Sequence, residues 1–284
     1  MARWEASGDD REARALSASW LAHEGAVRSL ESLEGSVGSL RSVGGDGSWV
    51  RWSEEGRLIK RERAPQLKAN AAEPLSDGSW LIASDRGVIS RVKGGERLWR
   101  TAGEHRRAAF DLEVTGGELL SVGSDGWLRR WRVSDGHMVG GRAAHEGWAT
   151  ALLKLTPPEG LSAQPRWVTG GADGLVRLWP FDVSRERLEE PPVEGVRGHK
   201  ADLTRLAGEW PWVVSGGEDG QVSLYRLKLG ERGAQLELVS QARAFSGPVM
   251  SLLMRAGCVL AGGGSGARDL TQYCVEGGGS RKSL

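Results

Sequence analysis

The sequence predicts an all-β fold, a six-bladed β-propeller of four-stranded antiparallel blades with an N-terminal strand closing the last blade. Three observations lead there. One hairpin pattern recurs six times, as SVGGDGSWVRW from Ser42, LIASDRGVISRV from Leu81, SVGSDGWLRRW from Ser121, TGGADGLVRLW from Thr169, SGGEDGQVSLY from Ser215 and AGGGSGARDLTQY from Ala261. Each copy is an apolar run, a glycine-rich turn usually carrying Asp, and a second run that often ends in Trp or Tyr, which is how a β-hairpin reads. The turn centres at Asp46, Asp85, Asp125, Asp173, Asp219 and Ser265 lie 39, 40, 48, 46 and 46 residues apart, the length of one propeller blade. Only 65 residues remain to close the circle from Ser265 through the C-terminus to Asp46, fewer than two further repeats require, so six blades fit and seven do not.

In chain order, residues 11–20 have strand-like composition and stand just before His23, where an outermost strand belongs. Pairing Ala13–Trp20 with the hairpin around Cys258 to Cys274 completes blade six and removes the open edges of the ring. Blade one turns at Asp46. Blade two keeps only Asp85, with Leu81 and Arg91 where other blades have a hydroxyl and an aromatic, so it is expected to lean on its neighbours. Blades three, four and five turn at Asp125, Asp173 and Asp219. Blade four carries two long loops, Thr156–Pro165 and Ser184–Gly195, which strand alternation puts on the face opposite the Asp turns. Blade six turns through Gly262–Gly266; this Gly-Gly-Gly-Ser-Gly run joins two strands with no helix following, so it is not a phosphate cradle. The propeller is expected to span residues 1–276, with 277–284 a flexible glycine-rich tail.

These residues resemble the WD-repeat β-propeller family over about His23 to Val275. In that family each repeat has a His before the first strand, a Ser or Thr in the second, an Asp in the turn and a Trp ending the third. Blade one matches with His23, Ser42, Asp46 and Trp52, blade three with His105, Ser121, Asp125 and Trp131, and blade four with His145, Thr169, Asp173 and Trp179. Blade five has His199, Ser215 and Asp219 with Tyr225 in the Trp place, and blade six keeps neither His nor Asp. The resemblance implies that each tetrad is a hydrogen-bonded chain locking turn to strands. A hydrolase triad occurs once, in one cleft; the same residue types in register in four blades argue for structure.

Composition fits a soluble globular protein, with 39% hydrophobic and 26% charged residues and 42 glycines. A net charge of +1 gives no field for nucleic acid or an anionic membrane. The basic clusters Lys60, Arg61, Arg63 and Arg129, Arg130, Arg132 are read as solvated strand faces and blade edges. The N-terminus lacks an apolar signal region and no stretch is long enough to span a membrane, so the expected location is the cytoplasm. Arg outnumbers Lys 31 to 7, a bias of GC-rich bacterial genomes. Cys258 and Cys274 flank the last hairpin and are expected to be a free, partly buried thiol pair. No P-loop, HExxH, CxxC or GxSxG motif occurs, and no cofactor or metal is expected.

The resulting expectation is a non-enzymatic protein-interaction scaffold or a subunit of a multiprotein assembly, a step carried by fold-level analogy. A hydrolase or lyase with a site in the central channel is the alternative; it wants converging acids near the channel, and none stand out beyond the tetrads. A nucleic-acid-binding accessory subunit is the second alternative. Trp127, two residues after Asp125, Trp148, three after His145, and Arg106 are expected to form one exposed patch at the junction of blades three and four for a protein partner.

Overall fold

The computed structural model describes residues 23–24, 27–32, 40–44, 46–53, 57–63, 68–161, 166–179, 195–230, 233–255, 257–263 and 270–274. Each repeat is one meander of antiparallel strands. Blade one is β1 (Val27–Ser32), β2 (Leu40–Gly44), β3 (Ser48–Trp52) and β4 (Leu58–Arg63); blade two is β5 (Ala69–Pro74), β6 (Trp80–Ser84), β7 (Ile89–Lys93) and β8 (Glu96–Arg100). Blade three is β9 (Ala109–Thr115), β10 (Glu118–Gly123), β11 (Trp127–Arg132) and β12 (Met138–Ala143). Blade four is β13 (Ala149–Leu155), β14 (Arg166–Gly171), β15 (Leu175–Trp179) and β16 (Val196–Arg197). Blade five is β17 (Leu203–Glu209), β18 (Trp212–Gly217), β19 (Gln221–Gly230) and β20 (Gly233–Arg243), and blade six shows β21 (Val249–Arg255), β22 (Cys258–Gly263) and β23 (Leu270–Cys274). The expected six-blade propeller is therefore found. The strand expected at Ala13–Trp20, the turn at Ser265 and the tail 277–284 lie outside the described residues.

The second strand of blades two to five is buried on both faces, its alternate residues meeting the blades on either side instead of a common centre. Five apolar clusters follow, one at each junction of consecutive blades from one to six. At the junction of blades three and four, Leu120, Val122 and Leu128 pack on Ala149, Leu152, Trp167 and Trp179; between blades five and six, Val214, Val222 and Leu224 pack on Phe245, Val249 and Tyr273. Non-directional burial of this kind supplies most of the cohesion. It does not fix the angle between blades.

Directional bonds do that at two levels. The first strands of successive blades, β1, β5, β9, β13, β17 and β21, neighbour one another around the channel. The second residue of three of these strands straps its blade to the next: Asn70 Nδ2 donates to the Ala109 carbonyl at 2.9 Å, Thr150 Oγ1 to Leu203 O at 2.6 Å and Thr204 Oγ1 to Val249 O at 2.6 Å. In blade three this position is Phe110, and the strap is made by its neighbour instead, Asp111 Oδ2 accepting the Leu152 N–H at 2.9 Å. The turn-glycine carbonyls of blades three, four and five accept N–H groups from the loop that opens the next blade. His145 N donates to Gly126 O at 3.0 Å, His199 N to Gly174 O at 3.3 Å and Phe245 N to Gly220 O at 3.1 Å. Gly126 has φ 74°, a conformation that favours glycine, and a side chain there would also strike this incoming loop.

Blade two leans on blade three as expected. Arg91, in the aromatic place, donates to Val133 O at 3.1 Å and to Ser79 Oγ at 2.9 Å, and Trp99 donates its indole N–H to the same Val133 carbonyl.

Three expectations are corrected. Cys258 and Cys274 are a disulfide, not free thiols: they are direct cross-strand partners in the β22–β23 register, which places the sulfurs together whatever the cysteine count suggests about compartment. In the cluster Arg129, Arg130, Arg132 only Arg132 is a solvated face; Arg130, 4% exposed, pairs with Glu118, and Arg129 pairs with Asp125. Extra length is not confined to blade four: β19 and β20 run ten and eleven residues, and their far ends lay Leu227, Ala234 and Leu236 on the core of blade four. Of the two loops noted in blade four, only residues 156–161 and Gly195 are described.

The straps predict a stability effect. Thr150→Val keeps the shape of the side chain but leaves Leu203 O buried without its donor, lowering unfolding free energy by about 1–3 kcal/mol in chemical denaturation. An unchanged midpoint would show that the straps merely accompany apolar packing.

Candidate functional site

Each tetrad histidine sits on a glycine. A Cβ at Gly44, Gly123, Gly171 or Gly217 would overlap the imidazole of His23, His105, His145 or His199, so the glycine two before the turn Asp is a seat for the ring. In blade three the Trp131 indole N–H donates to Ser121 Oγ at 2.8 Å, His105 Nε2 lies 2.8 Å from the same hydroxyl, and His105 Nδ1 lies 2.9 Å from Asp125 Oδ1. A neutral ring satisfies every group at once: indole to hydroxyl, hydroxyl to Nε2, Nδ1–H to carboxylate. Blade four repeats the chain through Trp179, Thr169, His145 and Asp173 at 2.9, 2.8 and 2.8 Å. Blade five repeats it with the Tyr225 hydroxyl 3.1 Å from Ser215 Oγ, His199 Nε2 2.6 Å from Ser215 and Nδ1 3.1 Å from Asp219. In blade one Trp52 donates to Ser42 Oγ at 2.9 Å and His23 Nε2 lies 2.8 Å from it. There Ser48 is interposed, 2.6 Å from His23 Nδ1 and donating to Asp46 at 2.7 Å.

Burial holds all four imidazoles below their ordinary pKa, outweighing the neighbouring carboxylates. Burial opposes ionisation of Asp125 too, but the bonds and charges of His105 and Arg129 outweigh it and hold the carboxyl at about 2. Arg129 Nη1 donates to Asp125 Oδ2 at 2.6 Å, and Arg177 does the same for Asp173 at 2.6 Å. Sequence reading missed these two arginines, although both stand four residues after their Asp. It also missed the occupant of the histidine place in blade six. Phe245 stands four residues before its strand, as each tetrad histidine does, and a Cβ at Gly263 would overlap its ring. With Ala261 beneath it, blade six replaces the polar chain by apolar contact.

Fully engaged with one another, the tetrads offer little to a ligand. The candidate site is next to one of them. Trp127 begins β11 opposite Ala143, and its ring extends toward Gly141, where even a methyl group would be crowded. The Arg129 guanidinium covers the indole 5.2 Å from its centroid. Trp148 lies in the loop leading into β13 and packs on Phe110 at 5.6 Å between centroids. This is the Phe110 that replaces a strap. Trp127 and Trp148 are 39% and 47% exposed, and with Arg106, Arg107, Ser124, Asp125 and Arg129 they line a recess of about 400 Å³. The three residues singled out from sequence, Trp127, Trp148 and Arg106, thus come together; Arg107 and Ser124 were not foreseen.

The central channel corrects one further expectation. Acids do converge there: Glu73 on β5 and Asp111 and Glu113 on β9 act on one another electrostatically. Some forty residues separate the two strands, and only ring formation makes them neighbours. Burial pushes Asp111 up to about 6 and Glu113 well above the usual carboxylate range, the nearby carboxylates adding to it. Both accept backbone N–H groups of β13, Asp111 from Leu152 and Glu113 from Lys154. Among the described residues no group of three or more His, Cys, Asp or Glu could hold a metal ion, and no helix is long and apolar enough to cross a membrane.

No family model matches the chain. It is similar to the ribosome biogenesis protein ytm1 of Aspergillus terreus, 31% identical over 127 residues, 42% of this chain and 25% of that protein. It is 24% identical over 149 residues to the DENN domain and WD repeat-containing protein SCD1 of Arabidopsis thaliana, 51% of this chain and 12% of that protein. It is 30% identical over 90 residues to the protein transport protein SEC13 of Cryptococcus neoformans, 29% of this chain and 26% of that protein. The chain therefore spans about a quarter or less of the length of these relatives. Among solved structures it superposes on the computationally designed Ika8 protein with a TM-score of 0.63 at 21% identity, covering 89% of this chain and 73% of that one, a likeness that bears on fold alone.

Two predictions follow from the site geometry. Asp125→Ala and His145→Ala each break one tetrad and should lower unfolding free energy by about 1–3 kcal/mol, read as a shift in denaturation midpoint. The second concerns pH. Asp125, with its depressed pKa, contributes stability that is complete above about pH 4 and lost as pH falls toward about 2. Asp111 has the opposite sign: its folded pKa is raised, so its contribution is greatest below about pH 4 and declines as pH rises through about 6. Wild type minus Asp111→Asn stability should therefore fall between acid and neutral pH; a difference independent of pH would refute the raised pKa of Asp111.

Proposed function

We propose that the chain is a WD-repeat β-propeller that acts as a non-enzymatic protein-interaction scaffold, or as a subunit of a multiprotein assembly, and holds a partner protein at Trp127, Trp148 and Arg106. The observation that carries this reading is the pair of large exposed indoles facing one recess. Trp and Arg dominate binding hot spots because they bury large area and keep a polar handle. The names of the relatives, in ribosome biogenesis and protein transport, support work within protein assemblies. Nucleic acid and membranes are not part of the proposal, since a net charge of +1 supplies no general field for either.

The alternative of a hydrolase or lyase in the channel is favoured by the raised pKa of Glu113. Both channel carboxylates that face blade four are engaged with its backbone, which supports a strapping role over chemistry. The proposed location is the cytoplasm; fractionation of the native host that recovers the tagged chain outside the cytoplasm would overturn that part.

Affinity purification of the tagged chain from its native host supplies the partner for the decisive test. Trp148→Ala and Trp127→Ala should leave thermal unfolding nearly unchanged and weaken capture of that partner by about 2 kcal/mol or more. Unimpaired capture by both variants would move the interface elsewhere, first to the opposite face.

A further inference from the structure

We propose that the recess between blades three and four binds a short acidic segment of a protein, its carboxylates on Arg106 and Arg107 and an apolar side chain between the indoles. This inference rests on the docking reading above and names the chemistry of the occupant.

The polar groups lining the recess are nearly all donors. Arg106 and Arg107 are exposed and, among the described residues, make no ion pair or hydrogen bond. The indole N–H groups of Trp127 and Trp148 likewise have no partner among the described residues. Ser124 Oγ accepts the Ala108 N–H at 2.9 Å and keeps its own proton to donate. Asp125 is the single carboxylate in the lining, and its two oxygens are taken by His105, Arg129 and the Trp127 N–H. A site with donors unspent and its one acceptor engaged selects an acceptor-rich, negatively charged ligand.

The walls are preformed. Trp148 is backed by Phe110, Trp127 by Arg129, and Arg129 by the tetrad, so little ordering is needed on binding. The surplus charge is local, two free guanidinium groups beside a small apolar slot. A nucleic-acid strand instead needs a basic track that follows its backbone.

The test uses a fluorescein-labelled ten-residue peptide with one Leu flanked by Glu residues, its Glu→Gln counterpart, a phosphoserine version and a ten-nucleotide oligothymidylate, with binding read by fluorescence polarisation at low and moderate salt. The Glu peptide should bind at least about tenfold more tightly than the Gln peptide and weaken with salt. The double variant Arg106→Ala/Arg107→Ala, its folding checked by thermal unfolding, should reduce the Glu peptide to the level of the Gln peptide and leave the latter unchanged; Trp148→Ala should weaken both. Equal binding of Glu and Gln peptides, no measurable binding of the Glu peptide, or tighter binding of the phosphoserine peptide or the oligonucleotide through the same arginines would overturn the proposal. Loss of binding on Trp148→Ala with no effect of the arginine pair would refute the charge preference alone and leave the docking site standing. Indifference to both variants, together with unimpaired capture of the purified partner, would remove the site itself.

Discussion

The loop that opens each blade is the joint on which the ring depends. In blades four and five its histidine side chain reaches into its own blade and completes the hydroxyl–aspartate chain there, while its backbone N–H is held by the turn glycine of the blade before. His145 does both, through Thr169 and Asp173 on one side and Gly126 O on the other. Disturbing one blade's turn therefore disturbs the entry of the chain into the next, and six units that bury little alone become one cooperative structure. Apolar burial at the junctions supplies cohesion, but it is non-directional. Angle and register come from the few bonds at this joint and from the channel straps.

The joint also shows how far polar and apolar solutions are interchangeable. Blades three and four reinforce the chain with Arg129 and Arg177, blade one inserts Ser48, blade five substitutes Tyr225, and blade six replaces the imidazole and hydroxyl by Phe245 and Ala261. A buried polar chain is stable only when every member is paired. Removing the whole set in favour of apolar groups of matching shape avoids unpaired donors, and blade six does this over its seat, Gly263.

The recess follows from a local departure of the same kind. Where blades two, four and five use the second residue of the first strand to strap the next blade, blade three has Phe110, and the strap passes to Asp111. Phe110 is then available to support Trp148. On the other wall, Gly141 of β12 leaves room for Trp127 and Arg129. A repeat protein gains a particular surface where one repeat departs from the rule that its neighbours keep.

The sequence by itself determined the number of blades, the turn positions of blades one to five and the tetrads. All of these are local, written within about forty residues at fixed offsets from an aspartate, and the strand period translates them directly into register. Trp127, Trp148 and Arg106 were legible because they break that pattern. Whatever depends on two blades meeting was decided only by tertiary structure. The convergence of Glu73, Asp111 and Glu113 in the channel, the Phe110 support under Trp148 and the hold of Arg91 and Trp99 on Val133 join residues of different repeats, brought together only when the sheets are arranged side by side. The Cys258–Cys274 bridge belongs between the two cases: the hairpin pattern puts the cysteines opposite one another, but their bonding is a matter of the distance between two sulfurs, which register and pleat decide and cysteine count does not.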